Sequence, residues 1–333
     1  MTRAGTEGGP TTPLHVVVLA GGFGGAKLSH GLAMLAAAPD QDIDLSIIVN
    51  TADDLELHGL LVCPDLDTVL YTLAGLANDA TGWGLRDETW SASAMLERYG
   101  QETWFSLGDR DIATHLVRSK RMRGGARLTE VEAELATALG VGARLLPMTD
   151  DIVRTKLRTD EGWLAFQDYF VRRHHTDDVH EVHVHGIEHA EPTHEVLHAI
   201  EGADRILIAP SNPFVSVAPI LAVPGLLDAL LEAKAPVVAV SPLIGGAAVR
   251  GPADRMFVTL GGEASALGVA RYYVERYPGL LDGIVIDEVD AAQAGDASAL
   301  GIAVSTAQTL MQSDADREAL ARSMLDVAGS LHR

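Results

Sequence analysis

Leu14-His15-Val16-Val17-Val18-Leu19-Ala20-Gly21-Gly22-Phe23-Gly24-Gly25-Ala26-Lys27-Leu28 is the stretch that decides the fold. Residues 14–20 are a short apolar run rich in β-branched side chains, which reads as a buried parallel strand. The glycines that follow let the chain turn tightly, and Ala26–Ala38 has helical composition. Leu45–Asn50 (LSIIVN) repeats the strand signal and closes a first β-α-β unit. That spacing predicts an α/β fold with a mostly parallel, doubly wound sheet.

The same signals recur at the far end of the chain. RILIAP (205–210), PVVAVSP (236–242), GIVIDE (283–288) and GIAVST (301–306) read as strands, and Ala315–Leu331 reads as an amphipathic helix. Between the two sets of strands lie segments of helical pattern: Thr68–Leu76, 88–99, 110–122 and 128–139. Thr129, three residues before Glu132, offers a capping box for the last of these. KLRT (156–159), WLAFQDYFV (163–171) and EVHVHG (181–186) suggest further strands. The expectation is one domain over 14–333, with a mainly helical cap inserted at about 60–140. Residues 1–13 are rich in Gly, Thr and Pro and read as a disordered lead.

The totals narrow the function. The 333 residues are 47% hydrophobic, with 25 basic against 46 acidic residues and a net charge of −21. That balance argues against a nucleic-acid surface, which needs a basic stripe. An anionic substrate would have to find local positive charge in a metal ion, a helix N-terminus or a few placed cations. The single cysteine, Cys63, rules out an intrachain disulfide and a cysteine-based zinc site. A reducing, cytoplasmic setting and no membrane span are expected from it and from the interrupted apolar runs.

Four constellations carry candidate chemistry. Gly21, Gly22, Gly24 and Gly25 with Lys27 form a turn whose backbone can approach a phosphate. The helix behind it points free N–H groups at the anion. The run is neither a P-loop, since Ala26 precedes Lys27, nor a clean dinucleotide fingerprint. Asp53, Asp54, Glu56, His58, Asp65 and Asp67 make an acidic loop after the second strand. Such oxygen donors suit Mg²⁺, and that position is where open α/β sheets bind ligands. Asp65 and Asp67 are equally suited to capping the next helix. Asp109, Arg110, Asp111, His115 and Arg118 form a salt-bridged helix start or a ligand-facing turn, the last three sharing one helical face. Ser211, Asn212 and Pro213, like Ser241 and Pro242, follow strands, where small polar groups hold nucleotides or simply turn the chain.

A histidine-rich stretch runs from His174 to His198 and contains His194-Glu195-Val196-Leu197-His198, a formal match to the zinc-peptidase motif. It lies in the most polar part of the chain and reads as a solvated surface. No nucleophile signature surrounds Cys63, and no GxSxG occurs.

AGGFGGAKL (20–28), IVNTADD (48–54), HGLLVCPDLDTVLYTLAG (58–75), GWGLRDETW (82–90), LGDRDIATHLVRS (107–119), LPMTDD (146–151), FQDYF (166–170), APSNPFVSVAPIL (209–221) and AVSPLIGG (239–246) resemble, in order, the 2-phospho-L-lactate transferase family, CofD in archaea and FbiA in actinobacteria. Departures from its pattern are Phe23, Ala52 and the histidine-rich 174–198. The resemblance implies a Rossmann-like, usually homodimeric transferase of coenzyme F420 biosynthesis. It would move a phospho-acid group from a guanylylated three-carbon acid to the terminal ribityl hydroxyl of the deazaflavin Fo, releasing GMP. Phospholactate, phosphoenolpyruvate and 3-phosphoglycerate are not told apart by any motif. By analogy Asp67 and Ser106 contact Fo, with Asp109, Arg110 and His115 in the acceptor region. The glycines, Lys27 and Ser211-Asn212-Pro213 hold the guanylyl half. From the residues themselves, Mg²⁺ is expected on Asp53 and on Asp65 or Asp67, and these carboxylates are expected to carry the catalysis by neutralising the diphosphate and orienting or deprotonating the attacking hydroxyl. The competing readings are a dehydrogenase on the same fold and a carrier of deazaflavin or nucleotide that has lost activity.

Overall fold

The computed structural model describes residues 12–39 and 41–333. Most of the expected N-terminal lead therefore lies outside the described residues. Seven parallel strands form the main sheet: β1 (Leu14–Ala20), β2 (Ile43–Val49), β3 (Arg144–Pro147), β4 (Arg205–Ile208), β5 (Val237–Val240), β6 (Gly283–Asp287) and β7 (Ala303–Ala307). Their order is β7-β6-β5-β4-β1-β2-β3. The winding reverses between β1 and β4, which pair through Val16↔Arg205 to Leu19↔Ile208. The chain is thus α/β and Rossmann-like, with its switch-point crevice at the ends of Ala20 and Ile208.

Alternation along each strand feeds two cores. Val17, Leu19, Ile206, Ile208, Ile284 and Ile286 point to one face. Val16, Val18, Ala20, Leu207, Val238 and Val285 point to the other, under α1 (Gly22–Ala36) and the C-terminal helix Asp314–Gly329. Strands buried on both faces need near-continuous apolar sequence, which is why LHVVVLA was so legible.

Between β2 and β3 the chain makes a hairpin (Leu55–Leu57 and Leu60–Val62) and then α2 (Pro64–Leu73), α3 (Ser91–Arg98), α4 (Asp109–Arg123) and α5 (Leu128–Ala138). Between β3 and β4 a three-stranded antiparallel sheet is made of Arg154–Thr159, Gly162–Ala165 and Glu181–His185. Among the described residues no single helix is long and apolar enough to cross a membrane.

Several local expectations change. Helix α1 starts at Gly22, so the glycine run is its first turn and not a loop before it. The expected strand 163–171 stops at Ala165 and continues as a helical turn, Asp168–Arg172. The Thr129/Glu132 capping box does not form: Glu130 Oε2 accepts the Arg127 N–H at the start of α5, Thr129 bonds Asp150, and Glu132 is fully buried against Arg118. Tertiary pairing wins over the local signal at both places.

Candidate functional site

Glycine is required where α1 meets β4. A Cβ on Gly24 would lie 2.2 Å from the Pro210 carbonyl oxygen, and one on Gly25 2.9 Å from Ser211 Oγ. Gly22 sits at φ 61°, a left-handed conformation that side chains resist. Ser211 locks the crevice: its Oγ donates to the Gly21 carbonyl at 2.7 Å and accepts from the Gly21 N–H at 3.1 Å. Asn212 Oδ1 accepts from Phe214 N–H and turns the chain into the buried Pro213. The glycine turn and Ser211-Asn212-Pro213 therefore meet, as the sequence expected.

Asp65 joins this turn from α2. Its Oδ1 accepts the Gly22 N–H at 2.8 Å and its Oδ2 accepts Asn50 Nδ2 at 3.0 Å. It does not cap its own helix; it ties three elements together at the sheet's carboxyl end. Burial pushes its carboxyl up to about 6, restrained by the hydrogen bonds from Asn50 and Gly22. Asp53 is raised well above the carboxylate range, by burial first and then by the Asp65 and Asp54 charges. Asp54 is pushed up to about 8 by burial, against the pull of Arg154. One carboxylate oxygen of each, Asp53 Oδ1 and Asp54 Oδ1, is buried with no hydrogen-bond partner among the described residues. Unpaired buried carboxylate oxygens at a ligand crevice are the donors a hard divalent cation takes. In donor type these residues suit such an ion, though among the described residues the set of three whose ligand atoms already lie within 4.8 Å of one another is Asp67, Asp111 and His115.

Asp67 is placed differently. Two residues along α2 from Asp65, it forms a fork with Arg118, whose Nη1 reaches Oδ2 at 3.2 Å and whose Nη2 reaches Oδ1. Arg118 Nε also donates to Glu132 at 2.7 Å. His115, wholly buried, lies between Asp111 (3.3 Å) and Asp67 (3.7 Å), and Tyr71 Oη donates to Asp111 at 2.7 Å. Asp67, Asp111 and His115 bring ligand atoms within 4.8 Å of one another. The Arg118 charge already sits on Asp67, so this network reads as the brace joining α2, α4 and α5. Arg118 is consumed here and is not free to meet a phosphate.

Asp109 and Arg110 clasp the loop ahead of α4. Asp109 accepts from Thr89 Oγ1, Ser91 N–H and Ala92 N–H, which also holds its carboxyl below the usual range. Arg110 Nη1 donates to the Arg86 carbonyl at 2.7 Å. The same loop walls a narrow cleft lined by Asn78, Trp83, Leu85, Glu88, Trp90 and Asp111. Ser106, half-buried, lies just ahead of α4.

Lys27 bends over the Phe23 ring, 4.4 Å from its centroid, and donates to the Met311 carbonyl. Arg250 stacks on the same ring at 4.6 Å. Arg317, from the C-terminal helix, pairs with Asp79 at 3.1 Å and keeps a buried Nε without a partner among the described residues. Burial, then the Arg317 charge, lowers the Lys27 ammonium. In a chain of net charge −21 this is a local concentration of cations beside the glycine turn. Sequence reasoning missed Arg250 and Arg317, which lie more than two hundred residues from Lys27, and no local pattern marks them.

The crevice gathers buried carboxylates and cations at the switch point of a doubly wound α/β sheet. The model of the family 2-phospho-L-lactate transferase CofD matches residues 16–327. A phosphoenolpyruvate transferase of Kitasatospora aureofaciens is 47% identical over 320 residues, covering 95% of this chain and 98% of that protein. The phosphoenolpyruvate transferase of Mycobacterium tuberculosis is 41% identical over 333 residues (95% and 99%). The 2-phospho-L-lactate transferase of Methanosarcina acetivorans is 41% identical over 298 residues (90% and 94%). A solved structure, a UPF0052 family member from Bacillus halodurans, shares the fold at TM-score 0.65 and 16% identity, over 95% of this chain and all of that one. The chain belongs to the CofD family and is a transferase enzyme.

Proposed function

We propose that this enzyme transfers a phospho-acid group from a guanosine diphosphate derivative of a three-carbon acid to the terminal ribityl hydroxyl of the deazaflavin Fo. GMP leaves, and the F420 precursor is extended. Phosphoenolpyruvate is the favoured acid, because relatives 41–47% identical over 95% of the chain bear the name phosphoenolpyruvate transferase. The observation that carries the chemistry is the cluster of Asp53, Asp54 and Asp65 at the switch point, with two buried oxygens unpaired. Its Asp65 meets the first turn of α1 at the Gly22 N–H, and the remaining N–H groups of that turn suit a diphosphate.

The chain's own residues divide the work. The backbone of Gly21–Gly25 and Ser211 shape the diphosphate cradle, and Lys27, Arg250 and Arg317 offset its charge. Asp53 and Asp65, with Asp54 beside them, would hold Mg²⁺. Of the two alternatives left by the sequence, Asp65 is favoured, since Asp67 is bound to Arg118. When bound, the metal would neutralise the diphosphate and stabilise the leaving phosphate oxygen. The acceptor would lie beside Asp109, Arg110 and Ser106; the adjoining cleft lined by Trp83 and Trp90 holds only about 20 Å³ and would have to open to admit it. A carboxylate of the acidic loop orients the hydroxyl and takes its proton. Positioning and charge stabilisation suffice for phosphoryl transfer, so no covalent enzyme intermediate enters.

The test is incubation with Mg²⁺, Fo and each guanylylated acid, following GMP and the deazaflavin product by mass. Product with guanylylated phosphoenolpyruvate supports the reading; product only with another acid corrects the donor. Fo binding without product from any donor supports the carrier reading instead. Absence of both overturns the assignment.

A further inference from the structure

The reading above leaves the histidine-rich segment unused. His194 and His198 stand one turn apart on the helix His194–Glu201, both exposed. Their ring centroids are 6.2 Å apart and their planes lie within 14° of parallel. Two imidazoles at i and i+4 on one helical face are the two arms of a chelate. The exposed rings can turn about χ2 toward a common point without disturbing packing.

The backbone beneath them is fixed. Thr193 Oγ1 accepts the Val196 N–H at 3.2 Å and caps the helix. Arg127 grips Glu195 through Nη2 at 2.6 Å and Nη1 at 3.2 Å. With its carboxylate turned to Arg127, Glu195 is not placed as the general base of a zinc peptidase, so the HExxH match reduces to its two histidines.

His183 and His185 form a rival pair on one exposed strand face, with ring centroids 6.5 Å apart. Their cross-strand partners are Lys156 and Arg154, whose charges oppose a bound cation. Beside the helical pair the charge of Arg127 is already met by Glu195.

We propose that His194 and His198 form a surface site for one borderline divalent cation of the Zn²⁺, Ni²⁺ or Cu²⁺ kind, completed by water. Imidazole donors select these ions over Mg²⁺, which prefers the all-oxygen set at Asp53 and Asp65. The site lies on a helix that packs against β1 and β3, so metal binding clamps a support of the switch-point strands without touching substrate groups.

The full-length protein is titrated with Zn²⁺ by calorimetry in a large excess of Mg²⁺, and its Cu²⁺ complex is examined by electron paramagnetic resonance. The expected result is one Zn²⁺ per chain at this site, and a Cu²⁺ spectrum with nitrogen couplings from two imidazoles. His194→Ala and His198→Ala each weaken Zn²⁺ binding by at least about tenfold, through loss of one of two nitrogen ligands. The double variant His183→Ala/His185→Ala leaves it unchanged. All three should melt as the wild type does in EDTA, since the replaced rings are exposed. Zn²⁺ binding that survives His198→Ala, vanishes in the 183/185 variant, or is absent from the wild type overturns the proposal.

Discussion

Replacing Gly24 by alanine tests the switch-point crevice at its tightest contact. The added Cβ would lie 2.2 Å from the Pro210 carbonyl oxygen, with the Pro210 carbonyl carbon at 3.2 Å. The obstacle is backbone, so no side chain can swing aside. Reaching ordinary van der Waals distance needs roughly 1 Å of separation between the first turn of α1 and the segment after β4, and overpacking of this kind costs about 1–3 kcal/mol. The displacement also moves the Gly21–Ser211 hydrogen bonds that shape the cradle. A misplacement of about 1 Å in a positioning element lowers turnover by about a hundredfold. Gly22→Ala is the control: nothing lies within 4 Å of its Cβ, and only the left-handed φ of 61° is penalised, by about 1 kcal/mol. Urea denaturation and GMP release are measured for both. Gly24→Ala is expected to lose more activity than Gly22→Ala, and at least as much stability. Wild-type turnover in Gly24→Ala would refute the claim that the glycine run holds the donor against β4.

Further outcomes follow from other parts of the site. Arg118→Met leaves Asp67 and Glu132 buried without their cation and should cost about 3–5 kcal/mol in urea denaturation, much of it recovered in Arg118→Met/Asp67→Asn/Glu132→Gln. Mg²⁺ at a hundred times its Kd should stabilise the wild type by about 2.7 kcal/mol in thermal denaturation, and Asp53→Asn or Asp65→Asn should lose most of that gain. For Asp287, burial alone would raise the carboxyl, but hydrogen bonds from Thr309, Val289 and Leu310 outweigh it and hold it below the usual range. A depressed folded value contributes stability above the unfolded pKa that is lost as pH falls through the folded one. The penalty of Asp287→Asn should therefore be full at pH 6 and shrink below about pH 4, read from urea midpoints. Arg250→Ala and Arg317→Ala should raise KM for the guanylylated donor more than they lower kcat, measured by steady-state GMP release.

The acidic loop shows where local reading ran out. Asp65 and Asp67 look alike in PDLDT, and either could be a helix cap or a metal ligand. Two residues apart on a helix, they point in different directions. One meets Gly22 and Asn50, while the other meets Arg118, fifty-one residues away. His115 and Arg118 were correctly placed on one face by helical spacing, yet the same spacing could not show that the face is buried. The cations around Phe23 were invisible because Lys27, Arg250 and Arg317 meet only when the chain has wound the full sheet.

By itself the sequence determined six of the seven main-sheet strands, missing the four-residue edge strand Arg144–Pro147, together with the glycine turn and the order of helical insertion, because these rest on apolar periodicity and backbone freedom, which act between neighbours. Its ordered motifs also carried the family. Only the tertiary structure decided which carboxylate stays free and which is neutralised, which arginine serves the brace, and where charge gathers against a net of −21. Those outcomes depend on burial and on pairing between residues far apart in the chain, and electrostatic energies are set by distance and solvent exclusion rather than by sequence separation.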